Sequence, residues 1–181
     1  MVMDLIEQQQ VILVDSDDNP VGATSKLDAH LDGGSLHRAF SVFVFDLSGN
    51  MLLQRRARTK YHFGGLWTNA CCGHPRPGER IEAAARTRLG EEFGFETEIR
   101  KLFQFTYLAT DEASGLTEYE LDHVFYGEFD GDPLPDPEEI EDWRRVRPED
   151  LLADLDANPQ IYTPWFRVAA ERVLEVVLSR R

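Results

Sequence analysis

The chain has 181 residues, of which 42 % are hydrophobic and 29 % charged, enough for one domain with a substantial core. Asp and Glu number 33 against 19 Lys and Arg, a formal net charge of −14. That excess of acid excludes general binding to nucleic acid or to an anionic membrane, both of which need a net basic surface.

It does not exclude a few cations gathered in one cleft around an anionic small molecule. No segment approaches the ~20 apolar residues of a bilayer span. The opening MVMDLIEQQQ lacks the basic and apolar regions of a secretory leader. The two cysteines, Cys71 and Cys72, are adjacent, a spacing too strained for a structural disulfide. A reduced, cytoplasmic protein is expected, with its thiols free for chemistry or packing.

In chain order, the apolar run 11–15 predicts a strand and the cluster 16–22 a turn. Residues 39–46 and 51–56 predict a hairpin with Gly49 and Asn50 in its turn. Ile81, Ala84, Ala85, Leu89 and Phe93 recur at helical spacing within 79–93, and Gly94 stops that helix. Two strands follow at 99–108 and 118–129, then a short one at 143–146 and a short helix at 148–155. Thr163 is the expected N-cap of a last helix, with Pro164 at its first position and an apolar stripe of Phe166, Ala169, Ala170, Val173 and Val177. The fold class is α/β (α+β): a mixed or antiparallel-rich sheet with helices packed on it, in one domain over 1–181.

Three groups of residues could carry chemistry. TNACCGHPRPGE, at 68–79, places a thiol pair and His74 in a loop shaped by Gly and Pro. His30 and His37 flank a glycine pair ahead of a strand. Glu118 and Glu120 alternate with Tyr119, so both point to one face of a strand. Two carboxylates on one face repel unless a proton or cation lies between them. Taken singly, each group also fits a plain role: buried small cysteines, a satisfied loop histidine, a solvated strand face.

The stretch 73–95 carries the frame of a Nudix box, with Gly73, Glu79, Glu91, Glu92, Gly94 and Phe95 in place. Such a loop–helix unit aims carboxylates at Mg²⁺ on a diphosphate. Thr87–Arg88 replaces the frame's Arg–Glu pair, which removes a carboxylate and adds a cation suited to binding phosphate oxygens.

Together with AHLDGGSLHRAF, RRARTKYHFGGLWTNACCGHPRPGE, GEEFGF, YLATDEASGLTEYELDHVF and TPW, this chain resembles the type 1 isopentenyl-diphosphate isomerases, a non-hydrolytic branch of the Nudix superfamily. The match runs from about His30 to Trp165. The resemblance implies a Nudix-like mixed sheet flanked by helices and isomerisation of isopentenyl diphosphate through a carbocation. It implies a divalent metal held by His30, His37, His74, Glu118 and Glu120, as Mn²⁺, Mg²⁺ or Zn²⁺. It aligns the catalytic thiol with Cys72 and the opposing acid–base group with Glu120, assisted by Tyr107. Lys26, Arg56, Lys60 and Arg88 would meet the diphosphate, Trp165 would face the substrate, and a second Mg²⁺ would lie near Glu92.

Cys71 is off the catalytic position but close enough in sequence to leave a rescue role open, and His62 and His123 match no ligand position and read as bystanders. Expected partners are a prenyl diphosphate and neither nucleic acid nor membrane, with the chain a monomer or weak homodimer. A Nudix diphosphate hydrolase and a non-catalytic binding module are the competing readings.

Overall fold

The computed structural model describes residues 9–179. The N-terminal stretch read above as lacking a leader falls largely outside them, at 1–8. Strands β1 (Gln10–Val14) and β2 (Pro20–Ser25) form an antiparallel pair. Asp15 closes their turn by accepting from the Asp17 and Asn19 amides, each at 2.9 Å. Helix α1 (Lys26–His30) starts at Ser25, whose Oγ accepts from the Asp28 amide at 3.1 Å. The expected turn at 16–22 is therefore shorter, and a strand and a helical turn follow it before His30.

The hairpin β3 (His37–Phe45) and β4 (Met51–Arg56) comes next, then two short strands, β5 (Trp67–Thr68) and β6 (Cys71–Gly73). The cysteines thus lie on a strand inside the segment expected to be loop. Helix α2 (Ile81–Phe93) ends on Gly94 in the left-handed region, φ 69°, as its sequence predicts. Strands β7 (Ile99–Thr110), β8 (Thr117–Glu128) and β9 (Ile140–Val146) lead to helices α3 (Pro148–Ala157) and α4 (Pro164–Leu178). Thr163 occupies the N-cap of α4 but makes no side-chain cap; its hydroxyl donates to Thr68 Oγ1 at 2.8 Å and ties the helix to β5 instead. No helix among the described residues is long and apolar enough to cross a membrane.

All nine strands join one mixed sheet centred on β3. One edge of β3 runs parallel to β8 from His37↔Glu120 to Phe45↔Glu128. Its other edge is shared in turn by Leu13 of β1, by β6 and by β4. Alternation along β3 feeds two cores. Phe43 and Phe45 join Tyr126 and the buried stripe of α4, Phe166, Ala169, Ala170 and Val173. Phe40, Val42 and Val44 join Phe125 and the stripe of α2, Ala84, Ala85, Leu89 and Phe93. Each buried Phe stabilises by about 1.5–3 kcal/mol. These two layers hold the central strands rigid where the polar end of the sheet begins.

Candidate active site

Past Phe43 the α4-facing side of the sheet turns polar. The register His37↔Glu120 and Tyr107↔Glu120 lines three side chains across three strands on one face. Glu118 is two residues ahead of Glu120 and points the same way. Helix α1 delivers His30, and β6 delivers His74 directly after Gly73. That glycine is required by close approach, since a Cβ there would come within 2.8 Å of the Phe40 ring. One ligand atom from each of His30, His37, His74, Glu118 and Glu120 lies within 4.8 Å of the others. His30, His37, Glu118 and Glu120 are buried.

Backbone carbonyls set the ring orientations. His30 Nδ1–H donates to the Lys26 carbonyl at 2.5 Å and His37 Nδ1–H to the Ser35 carbonyl at 2.7 Å. Their Nε2 lone pairs therefore face inward. His37 Nε2 lies 3.1 Å from His74 Nε2, which is 2.6 Å from Glu120 Oε1. His30 Nε2 is 2.9 Å from Glu118 Oε2. Lone pairs and carboxylate oxygens so placed repel unless a cation or proton sits among them. Burial pushes His74 down to about 4, which keeps it neutral and ready to ligate. Burial alone would raise Glu118, but His62 and His30 outweigh it and hold the group well below the usual carboxylate range. Three imidazoles and two carboxylates suit Mn²⁺, Mg²⁺ or Zn²⁺, so these residues fit a divalent cation.

The cysteine doublet is split by the pleat. Cys72 pairs with Ser41 and Cys71 with Val42, so the two side chains leave opposite faces of the sheet. Cys71 is fully buried among Ala84, Ala85 and Leu89. A rescue by Cys71 is thereby excluded on geometry. Cys72 lines a cavity of about 1340 Å³ with Tyr107, Glu120 and Trp165. Its Sγ accepts from Asn69 Nδ2 at 3.2 Å and lies 3.5 Å from Ser41 Oγ, which donates to Asp122 Oδ2 at 2.7 Å. Burial, with help from Asp122, pushes the thiol up to about 12. Tyr107 is raised well above its usual value by burial and Glu120, and its hydroxyl donates to Glu120 Oε2 at 2.5 Å. Ser41 and Asp122 went unnoticed in the sequence, and Asn69 was read only as part of the motif; the continued alternation Glu118, Glu120, Asp122 was the available signal.

Lys26, Arg56, Lys60, Arg88 and Glu92 line the same cavity. Lys60 pairs with Glu139. Arg88 reaches Glu92 Oε1 and Glu139 Oε2, each at 2.8 Å. Burial lowers Lys26 and Lys60 to about 8. Trp165 packs against Phe63 and Tyr107, with ring centroids 5.5 and 6.2 Å away, and Arg56 stacks on it at 5.5 Å.

His62 is no bystander: it is buried and its Nε2 bonds Glu118 Oε1. Its signal was hidden because it lies in a Gly-flanked strap between β4 and β5, far in sequence from β8. His123 does stay outside the site, on the opposite face of β8, 3.1 Å from Asp18.

Residues 35–166 match the family model of the NUDIX domain. A crystal structure from Deinococcus radiodurans superposes with a TM-score of 0.76 at 23 % identity, over 91 % of this chain and 98 % of that one. A MutT protein from Methanosarcina mazei gives 0.63 at 19 % identity, over 76 % and 91 %. Fold and domain make this a NUDIX protein. Among curated proteins, the isopentenyl-diphosphate Delta-isomerase of Halorhodospira halophila is 54 % identical over 88 % of this chain and 91 % of its own. That of Burkholderia multivorans is 47 % identical over 96 % and 97 %. The chain belongs to the isopentenyl-diphosphate Delta-isomerase family.

Proposed function

We propose that this cavity isomerises isopentenyl diphosphate to dimethylallyl diphosphate, with Cys72 and Glu120 as opposed acid–base groups and Tyr107 assisting Glu120. The family supplies the reaction; the residue roles are our reading. The observation that carries it is that Cys72, Tyr107, Glu120 and Trp165 share one cavity with Lys26, Arg56, Lys60 and Arg88. The four cations suit a diphosphate, and the first four residues suit the hydrocarbon end.

The substrate's terminal alkene is unactivated. Moving it requires a proton added at the terminal carbon and one removed from the carbon on the diphosphate side of the resulting tertiary cation. Glu120, bonded to the Tyr107 hydroxyl, delivers the first, and the sulfur of Cys72 accepts the second. The π-face of Trp165 stabilises the cation without trapping it. Water has to be kept from the cation, which it would otherwise capture.

Burial keeps the proton on Cys72, while His37 and His74 outweigh burial and the neighbouring Glu118 charge and hold Glu120 below the usual carboxylate value. The competent form has the proton on Glu120 and a thiolate at Cys72, with the same proton count. Asn69 Nδ2, donating to Sγ, favours that thiolate. A divalent cation at the His30, His37, His74, Glu118 and Glu120 cluster would supply Lewis acidity that makes protonated Glu120 a stronger donor. A Mg²⁺ accompanying the diphosphate would be held near Glu92.

The hydrolase reading is weaker. Arg88 stands where the frame has a carboxylate, which leaves the helix one metal-binding oxygen pair short of the hydrolase set. We also read the chain as a single catalytic unit over 1–181, a monomer or weak homodimer, with the NUDIX match running over residues 35–166. The unpaired Cys72 suits a reducing compartment, the cytoplasm. The test is conversion of isopentenyl to dimethylallyl diphosphate by purified protein with Mg²⁺, with metal analysis of the same sample. A folded, metal-replete protein with no isomerase activity would overturn the assignment.

A further inference from the structure

We propose that His62 is a positioning residue that fixes the Glu118 carboxylate from outside the metal's coordination shell. This rests on reading the His30, His37, His74, Glu118 and Glu120 cluster as a metal centre.

The geometry divides Glu118 between two imidazoles. His30 Nε2, with its lone pair, faces Oε2 across 2.9 Å on the side of the cluster. His62 Nε2 takes Oε1. His62 is not among the five residues whose ligand atoms converge within 4.8 Å. Its other ring nitrogen, Nδ1, is buried and without a hydrogen-bond partner. The tautomer that satisfies Glu118 therefore carries its proton on Nε2 and donates it to Oε1. Glu118 is 3 % exposed, so without this donor no water would readily replace it, and the carboxylate would be free to turn.

His62 is itself held in place. Its carbonyl accepts from Arg56 Nη2 at 3.2 Å, and its ring lies 4.2 Å from that of Tyr61. The next residue, Phe63, rests on Trp165 and donates its amide to Asp111 Oδ2 at 3.3 Å. The strap is thus pinned on both sides of His62. A side chain fixed in this way can fix another.

Protein stripped of metal and titrated with Mn²⁺ under electron paramagnetic resonance tests the idea without any assay of turnover. His62→Ala is expected to bind Mn²⁺ about 10–100-fold more weakly than wild type, the usual effect of losing such a partner. His62→Gln keeps an N–H donor and is expected to recover most of the affinity. If His62→Ala does not fold, His62→Leu removes the donor while filling the space and takes its place. Pulsed measurements that count imidazole nitrogens on the ion are expected to give three in wild type. Four would make His62 a ligand and overturn the proposal, as would a folded His62→Ala or His62→Leu with affinity within twofold of wild type. Failure of wild type to bind Mn²⁺ at all would instead sink the metal centre itself.

Discussion

The His–Glu cluster and the cationic rim of the same cavity are built by different means. In the cluster, strand register aligns His37, Glu120 and Tyr107, and backbone carbonyls at Lys26 and Ser35 fix the histidine rings. Its polar atoms are aimed by the backbone itself. At the rim, Lys60 sits on the strap and Arg88 on α2, and both are already paired with Glu139. In the proposed function an arriving diphosphate would exchange partners there, whereas a cation entering the cluster would find its ligands turned inward. If the rim is the proposed diphosphate subsite, the contrast teaches that an acidic protein can keep a cationic site by neutralising it internally.

Four measurements would sharpen or break this contrast. The largest effect is expected at the preorganised end. Cys72→Ala should lower kcat at least ~100-fold, as for a lost general acid or base. Cys71→Ala should leave kcat within about twofold and show instead as lost stability of roughly 1 kcal/mol, the scale of one buried group of that size. Equal loss of kcat in both variants would mean that the pleat does not separate the two thiols.

Arg88→Glu should raise KM about tenfold or more, because a charged hydrogen bond of about 1.5–3 kcal/mol becomes a repulsion. An unchanged KM would remove Arg88 from the diphosphate subsite. Next in size is the pH response of the rim. Lys26 and Lys60, lowered to about 8 by burial, are charged below that pH and lose their protons above it. KM is expected to rise severalfold between pH 7 and pH 9, read from initial rates at fixed Mg²⁺; a flat profile would show that the lysines do not meet the substrate. The smallest effect belongs to Glu139→Gln, which frees Lys60 and Arg88 from a competing anion. A KM lowered two- to threefold with kcat unchanged supports the exchange of partners. A raised requirement for Mg²⁺ would make Glu139 part of ion binding instead.

Much of the fold was readable because its strongest elements are periodic and punctuated. The stripe from Ile81 to Phe93 ending at Gly94 and the Thr163–Pro164 start of α4 are local signals. Strand β2 was missed because it is exposed and carries Pro20 and Gly22, and β5 and β6 because they are only two and three residues long.

The sequence by itself determined which residues carry the family's motifs, and the alternation that puts Glu118 and Glu120 on one face. Tertiary structure alone decided that Cys71 enters the core while Cys72 enters the cavity, because that depends on the register of β6 against Ser41 and Val42. It likewise decided that His62 meets Glu118 across 56 residues, and that Glu139 closes on Lys60 and Arg88. Local propensity follows neighbours along the chain. These contacts follow the path of a strap and a loop over a sheet, and only the folded sheet defines that path.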